Sequence, residues 1–301
     1  MNLSLRRRVQ ALSRGVRAAA LVLVSVAGVQ AARATPAPTI LILGAVPQEI
    51  VPIKEALRQH SRETFAGIPC DRGMLGTHEV VVAITGIGKT NCAMVTAALV
   101  QHYNPVEVIW TGTGCRVRQS LRVGDVIVAS EVMHYDVGVL TRDGMNYGDA
   151  ARGGSPGGKP VFDTHFFGPD GQHSSNILFA CDPKLLSFAG DFLKGYHPEP
   201  VDLSGAHYVP EVRVGFIVSG DLFGLTETKI SDIRRKLDPD LLEMEGAPFA
   251  QVCTFFHVPF LVIRGGSDLL KEDNPDDYAL LSPTAAREAA QFTLSLVTAL
   301  P

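Results

Sequence analysis

The chain has 301 residues, 46% of them hydrophobic and 19% charged, with a formal net charge of -4. That balance excludes a disordered chain and leaves ample apolar material for a core. It also argues against nucleic acid as the main partner, because apart from one N-terminal cluster the basic residues are scattered and no counterion-releasing patch is evident.

The cluster comprises Arg6, Arg7, Arg8, Arg14 and Arg17. It precedes an apolar run from Ala18 to Val29 and an Ala32-Arg33-Ala34 cleavage signature. This pattern predicts a signal peptide over 1–34, cleaved after Ala34, and a periplasmic or secreted mature chain over 35–301. The apolar run is shorter than the roughly 20 residues a spanning helix needs, so no stable membrane span is expected after cleavage. The five cysteines, Cys70, Cys92, Cys115, Cys181 and Cys253, form no framework and no C-x-x-C pair, which leaves their pairing open.

After a Thr35-Pro36-Ala37-Pro38 linker, the apolar run from Thr39 to Leu43 reads as a buried strand and Ile50 to Gln59 as a helix. A strand from Glu79 to Thr85 breaks at Gly86-Ile87-Gly88 and feeds a helix from Lys89 to His102. Strands follow at 107–111 and 125–132. The segment from Thr141 to Ser175, rich in Gly, Pro, Asp and His, reads as a long loop or insertion. Beyond it come a helix over 185–195, a strand over 212–219, helices over 226–236 and 247–256, a strand over 260–264 and a final helix over 283–300. Strands alternating with helices predict an α/β fold, a largely parallel sheet covered by helices on both faces. Its site should lie where the strands end.

Two glycine-rich turns invite nucleotide readings that fail on detail. Ala83-x-x-x-x-Gly88-Lys89-Thr90 has Ala where a phosphate loop requires Gly, and no later strand offers an obvious magnesium-holding Asp. Gly112-x-Gly114 lacks the third glycine and the ribose-binding acid of a dinucleotide site. More informative are Glu49, Glu245 and Asp268, each near a Gly-containing turn in apolar surroundings. Singly, each suits a solvated surface. Converging on one rim, they suit glycosidic chemistry, in which one acid protonates the leaving group and another handles water. Phe223 beside Gly220-Asp221 suits either the core or a stack on a flat base.

Five blocks in order resemble the methylthioadenosine/S-adenosylhomocysteine nucleosidases of the purine nucleoside phosphorylase superfamily. They are Leu41 to Glu49, Thr85 to Lys89, Trp110 to Gly114 with Val123 to Ile127, Ser219 to Phe223, and Glu243 to Ala247 with Arg264 to Asp268. The resemblance implies a twisted mixed sheet in a three-layer sandwich, a homodimer whose neighbouring subunit helps wall the pocket, and no metal or organic cofactor. It implies a purine nucleoside as substrate, hydrolysed at its N-glycosidic bond. Glu49 and Asp268 take the catalytic roles, Glu49 deprotonating water and Asp268 protonating the purine N7. Glu245 holds the ribose hydroxyls and Met244 packs on the sugar. Phe223 stacks on the purine, with the main chain at Phe223 and Gly224 along its edge. Ser267 orients Asp268, and Thr113, with Gly114, lies near the water and ribose.

The same resemblance separates the nucleophiles, because phosphorylases hold phosphate with arginines in the first loop and just before the glycine block. Here the first loop has none and Trp110 occupies the second place. Cys115-Arg116 stands where the nucleosidases usually carry two glycines, and Arg116 suits either an exposed loop residue past the turn, the preferred reading, or a source of phosphate-binding charge. A nucleoside-binding or storage protein is the non-catalytic alternative. Tyr278 suits either a pocket aromatic or a surface loop.

Overall fold

A computed structural model describes residues 38–147, 166–167, 173–174, 177–269 and 276–301. The expected signal peptide and most of the Thr141 to Ser175 segment lie outside the described residues.

The chain runs β1 (Thr39–Gly44), α1 (Pro47–Glu55), β2 (Arg58–Phe65), β3 (Ile68–Leu75), β4 (His78–Ile84), α2 (Lys89–Tyr103), β5 (Glu107–Arg116) and β6 (Val126–His134). Short strands follow: β7 (Val139–Thr141), β8 (Gly144–Asn146), β9 (Phe166–Phe167), β10 (His173–Ser174) and β11 (Leu178–Ala180). Next come α3 (Pro183–Leu193), β12 (Val201–Leu203), β13 (Ala206–Tyr208), β14 (Val212–Ser219) and α4 (Glu227–Leu237). The chain ends with β15 (Leu241–Glu243), α5 (Gly246–Phe255), β16 (Phe260–Gly266) and α6 (Asp276–Ala299).

The result is the expected α/β architecture, a central mixed sheet with helices on both faces. Its order is β11-β6-β14-β15-β5-β1-β4-β3-β2, with β16 paired to both β5 and β6. β1 is flanked in parallel by β4 and β5 and is wholly buried, as its unbroken Ile-Leu-Ile-Leu run requires of a strand covered on both faces. β16 runs parallel to β5 and antiparallel to β6. Together with the β6-β14, β14-β15 and β15-β5 pairings it closes a ring of five strands.

Several boundaries differ from the sequence expectation, β5 among them, which runs on to Arg116 rather than ending at Thr111. The first helix begins at Pro47, whose fixed φ suits a first helical position, and stops at Glu55. The chain then forms the hairpin β2-β3 rather than continuing as a helix to Gln59. β2 is an edge strand exposed along nearly its whole length, so it lacks the apolar alternation that marks strands. The last helix starts at Asp276 and carries Pro283 inside it. Among the described residues no helix is long and apolar enough to cross a membrane. All five cysteines are buried and free.

β5 fixes where the site lies. Its first half pairs with β1 through Trp110, and its second half continues past the end of β1 to meet β15 at Cys115 and Arg116. Thr113 and Gly114 sit at this change of partners, the kind of crevice where open α/β sheets bind ligands.

Candidate active site

Glu49 is the third residue of α1 and is 2% exposed. One carboxylate oxygen, Oε2, accepts the backbone N–H groups of Ala45 at 2.7 Å and Val46 at 3.2 Å. The other, Oε1, accepts the Thr113 N–H at 2.8 Å and the Thr113 hydroxyl at 3.2 Å. The helix start thus aims this carboxylate at the middle of β5, and a carboxylate near a helix N-terminus is favoured there by the aligned peptide dipoles.

Beneath it lies Arg264 of β16, which is fully buried. Its Nη1 is 3.6 Å from Glu49 Oε1, and its Nη2 bonds Glu245 Oε2 at 2.8 Å and also Glu243. The guanidinium stacks over Trp110 with its carbon 5.1 Å from the ring centroid, a cation–π contact. Three carboxylates therefore share one cation, whose own charge is held firmly by them. Glu243 is further fixed by the N–H groups of Glu245 and Gly246 and by the Ser219 hydroxyl. Glu245 keeps its second oxygen for the N–H of Gly88 at 2.8 Å. Burial pushes the Glu245 carboxyl up to about 7; Arg264 opposes the shift, while Glu243 and Glu49 add to it. Gly112 makes this convergence possible. A Cβ there would fall onto the Arg264 guanidinium and 2.6 Å from Glu49 Oε1.

At the far end, Asp268 is 7% exposed, and its Oδ1 accepts the Ser267 hydroxyl at 2.9 Å. The Cys115 thiol lies 3.4 Å from the same oxygen and 3.6 Å from Oδ2. Main-chain bonds from Ser267 N–H to the Gly114 carbonyl and from Arg116 N–H to the Asp268 carbonyl, both 2.8 Å, pin this turn to β5. The Arg116 guanidinium turns away: Nε donates to the Ser267 carbonyl and Nη1 to the Leu121 carbonyl.

The rim is formed by the loop after β14. Phe223 is 57% exposed and meets Tyr278 of α6 edge-on, with centroids 5.6 Å apart. Tyr278 lines the cleft together with Thr113 and Glu49. Asp221 accepts the Lys89 N–H at the start of α2 at 2.7 Å, and Lys89 Nζ meets Asp136 at 2.6 Å. The Tyr135 hydroxyl reaches the Leu222 carbonyl at 3.4 Å. The phosphate-loop-like turn is therefore a clasp for this rim. His134, given no role from the sequence, is buried against Gln251, and burial lowers it to about 4.

These parts line a cleft of about 490 Å³ including the open solvent at its mouth. Glu49, Thr113, Gly114, Phe223, Met244, Glu245 and Ser267 all line it, as does Tyr278. Asp268 is not itself a lining residue but is in contact with two that are, Ser267 and Cys115, while Gly224 sits in the open loop at a φ of +78° with nothing near its Cβ position. Sequence reasoning missed Glu243, Gly112 and the central role of Arg264. The available signal for Arg264 was an arginine ending an otherwise apolar strand. Among the described residues no cluster of His, Cys, Asp and Glu is arranged to hold a metal ion.

Comparison with known proteins fits this geometry. A family profile described as the phosphorylase superfamily matches residues 39–300. A 5'-methylthioadenosine/S-adenosylhomocysteine nucleosidase of Bacillus thuringiensis is 31% identical over 259 residues, covering 86% of this chain and 97% of the relative. The Neisseria meningitidis nucleosidase bound to methylthio-immucillin-A is 28% identical, with a TM-score of 0.68 over 87% of this chain and 99% of that one. The corresponding protein of Colwellia psychrerythraea, bound to adenine, is 27% identical with a TM-score of 0.68, covering 87% and 95%. The chain therefore belongs to the phosphorylase superfamily, among the 5'-methylthioadenosine/S-adenosylhomocysteine nucleosidases.

Proposed function

We propose that this chain is a purine nucleosidase that hydrolyses the N-glycosidic bond of a 5'-substituted adenosine of the methylthioadenosine or S-adenosylhomocysteine type. The observation that carries the choice of water over phosphate is the disposition of positive charge. Arg264 is consumed by Glu49, Glu243 and Glu245, and Arg116 by two main-chain carbonyls. A phosphate dianion beside Glu49 would meet carboxylate rather than free cation, and burying it uncompensated is costly.

In this reading the purine stacks on Phe223 with its N7 towards Asp268. Glu245 and Met244 hold the ribose. Asp268 gives its proton to N7 as the bond from C1' to N9 breaks, and the bonding pair leaves with the base. Water held between Glu49 and Thr113 adds its oxygen to C1' and yields its proton to Glu49. Because all the Glu49 lone pairs already have donors, the Thr113 hydroxyl, at 3.2 Å, is the partner that gives way to water.

Release of free base from a panel of purine nucleosides, with and without phosphate, tests the reading. Phosphate-independent release that disappears in Glu49→Gln supports it. Strict dependence on phosphate overturns it in favour of a phosphorylase, and binding without release favours a binding protein.

Export and dimerisation belong to the same proposal. The Arg-rich segment and Ala32-Arg33-Ala34 support signal cleavage and a periplasmic or secreted enzyme, and N-terminal mass determination after fractionation tests this. Exposed Ile87, Leu222 and Phe223 beside the cleft support a second copy covering its mouth, which sedimentation of the purified chain tests.

A further inference from the structure

We propose that Cys115 is a positioning residue for this reaction, its thiol holding the Asp268 carboxyl group in place at the purine end of the cleft. The inference rests on the reading of Asp268 as the acid. Cys115 follows Gly114 on β5 and lines the cleft, with the Asp268 carboxyl group against its sulfur. Its sulfur lies within reach of both carboxyl oxygens, at 3.4 and 3.6 Å, and burial beside Asp268 pushes the thiol well above its usual range, keeping the S–H as a donor.

The other donor is less committed. The Ser267 hydroxyl has one proton and two acceptors in range, Asp268 Oδ1 at 2.9 Å and the Gly114 carbonyl at 3.1 Å. Among the described residues, Cys115 is the side chain that reaches Oδ2. The main chain on both sides of Cys115, the Gly114 carbonyl and the Arg116 N–H, bonds the Ser267-Asp268 turn, so the thiol and the carboxyl share one frame. The glycines that nucleosidases usually carry here would supply no such donor.

Among the described residues, the titratable and charged groups facing Asp268 are Cys115 itself and Arg116, both from β5. Arg116 is tied to carbonyls and is common to all the variants below.

The test is kcat and KM as a function of pH, from about pH 5 to 9, for the full chain and for Cys115→Val, Cys115→Ala and Cys115→Ser. Val keeps the volume without a donor, and Ser restores one. The donorless variants should lose about tenfold in kcat with little change in KM. The loss should fall equally on kcat/KM, because a misplaced acid fails in the transition state and not in ground-state binding. Cys115→Ser should recover both. Profiles of Val and Ala that superimpose on the parent overturn the proposal, and Val serves if Ala does not fold. Asp268→Asn separates the two layers. Retained turnover in that variant overturns Asp268 as the acid, whereas lost turnover with an unchanged Cys115→Val profile overturns only the role of Cys115.

Discussion

The floor and the rim of the cleft are built on opposite plans. Glu49, Glu243, Glu245, Arg264 and Trp110 are nearly or wholly buried, and nearly every polar atom of the three carboxylates is spoken for. Across the opening, Phe223, Leu222 and Ile87 are at least half exposed, on loops held by a few hydrogen bonds. The difference separates two tasks. Charge that must act on a reacting bond is fixed in advance where water is scarce, which makes it both strong and costly to disturb. Apolar surface, which in the proposed reading receives a flat base, is left accessible.

Removing the shared cation should break this comparison most severely. Arg264→Met leaves three buried carboxylates uncompensated and should cost at least about 3 kcal/mol, read as a large fall in thermal midpoint together with loss of activity. Glu49→Gln should keep the fold, because the amide oxygen still accepts from the Thr113 or Ala45 main chain, while lowering kcat by roughly 10²- to 10⁴-fold in a base-release assay.

The floor should also be felt in pH. Since Glu245 is raised to about 7, the folded chain binds a proton that the unfolded chain has shed. Its contribution to stability is full below the ordinary Glu range and is lost as pH rises through about 7. Thermal midpoints should decline over that window, and Glu245→Gln should flatten the decline.

Changes at the rim should be smaller and confined to binding. Phe223→Ala should raise KM about tenfold at nearly constant kcat, matching the loss of one aromatic stack. Lys89→Met, which removes the Nζ contact to Asp136, the acceptor of the Asp221 N–H, should raise KM by up to about fivefold. A rim variant that lowered kcat as far as Glu49→Gln would dissolve the distinction between the two regions.

The floor was only partly legible in the sequence. Glu49, Glu245 and Asp268 stood out because acids beside glycine turns interrupt apolar runs. Strand periodicity alone does not say what an inward arginine meets, so Arg264 was read as part of a block and not as the centre of the charges. Glu243 was hidden the same way, in a strand of three residues too short to show a period. The central strands were plain from their apolar runs. The β2-β3 hairpin was not, because an exposed edge strand of sequence Arg-Gln-His-Ser-Arg-Glu-Thr-Phe has no face to bury.

The position of β16 carries a consequence for the order in which the molecule is made. Glu49, Glu243 and Glu245 all emerge from the ribosome before Arg264, and β16 is the last strand among the described residues. Until it inserts between β5 and β6, the ring is open and the three carboxylates lack the cation that lets them leave water. Completion of the barrel-like ring and assembly of the charged floor are thus one event, which joins segments far apart in the chain. A chain interrupted before β16 would hold most of the sheet and none of the chemistry, so linear order itself reserves competence for the finished polypeptide.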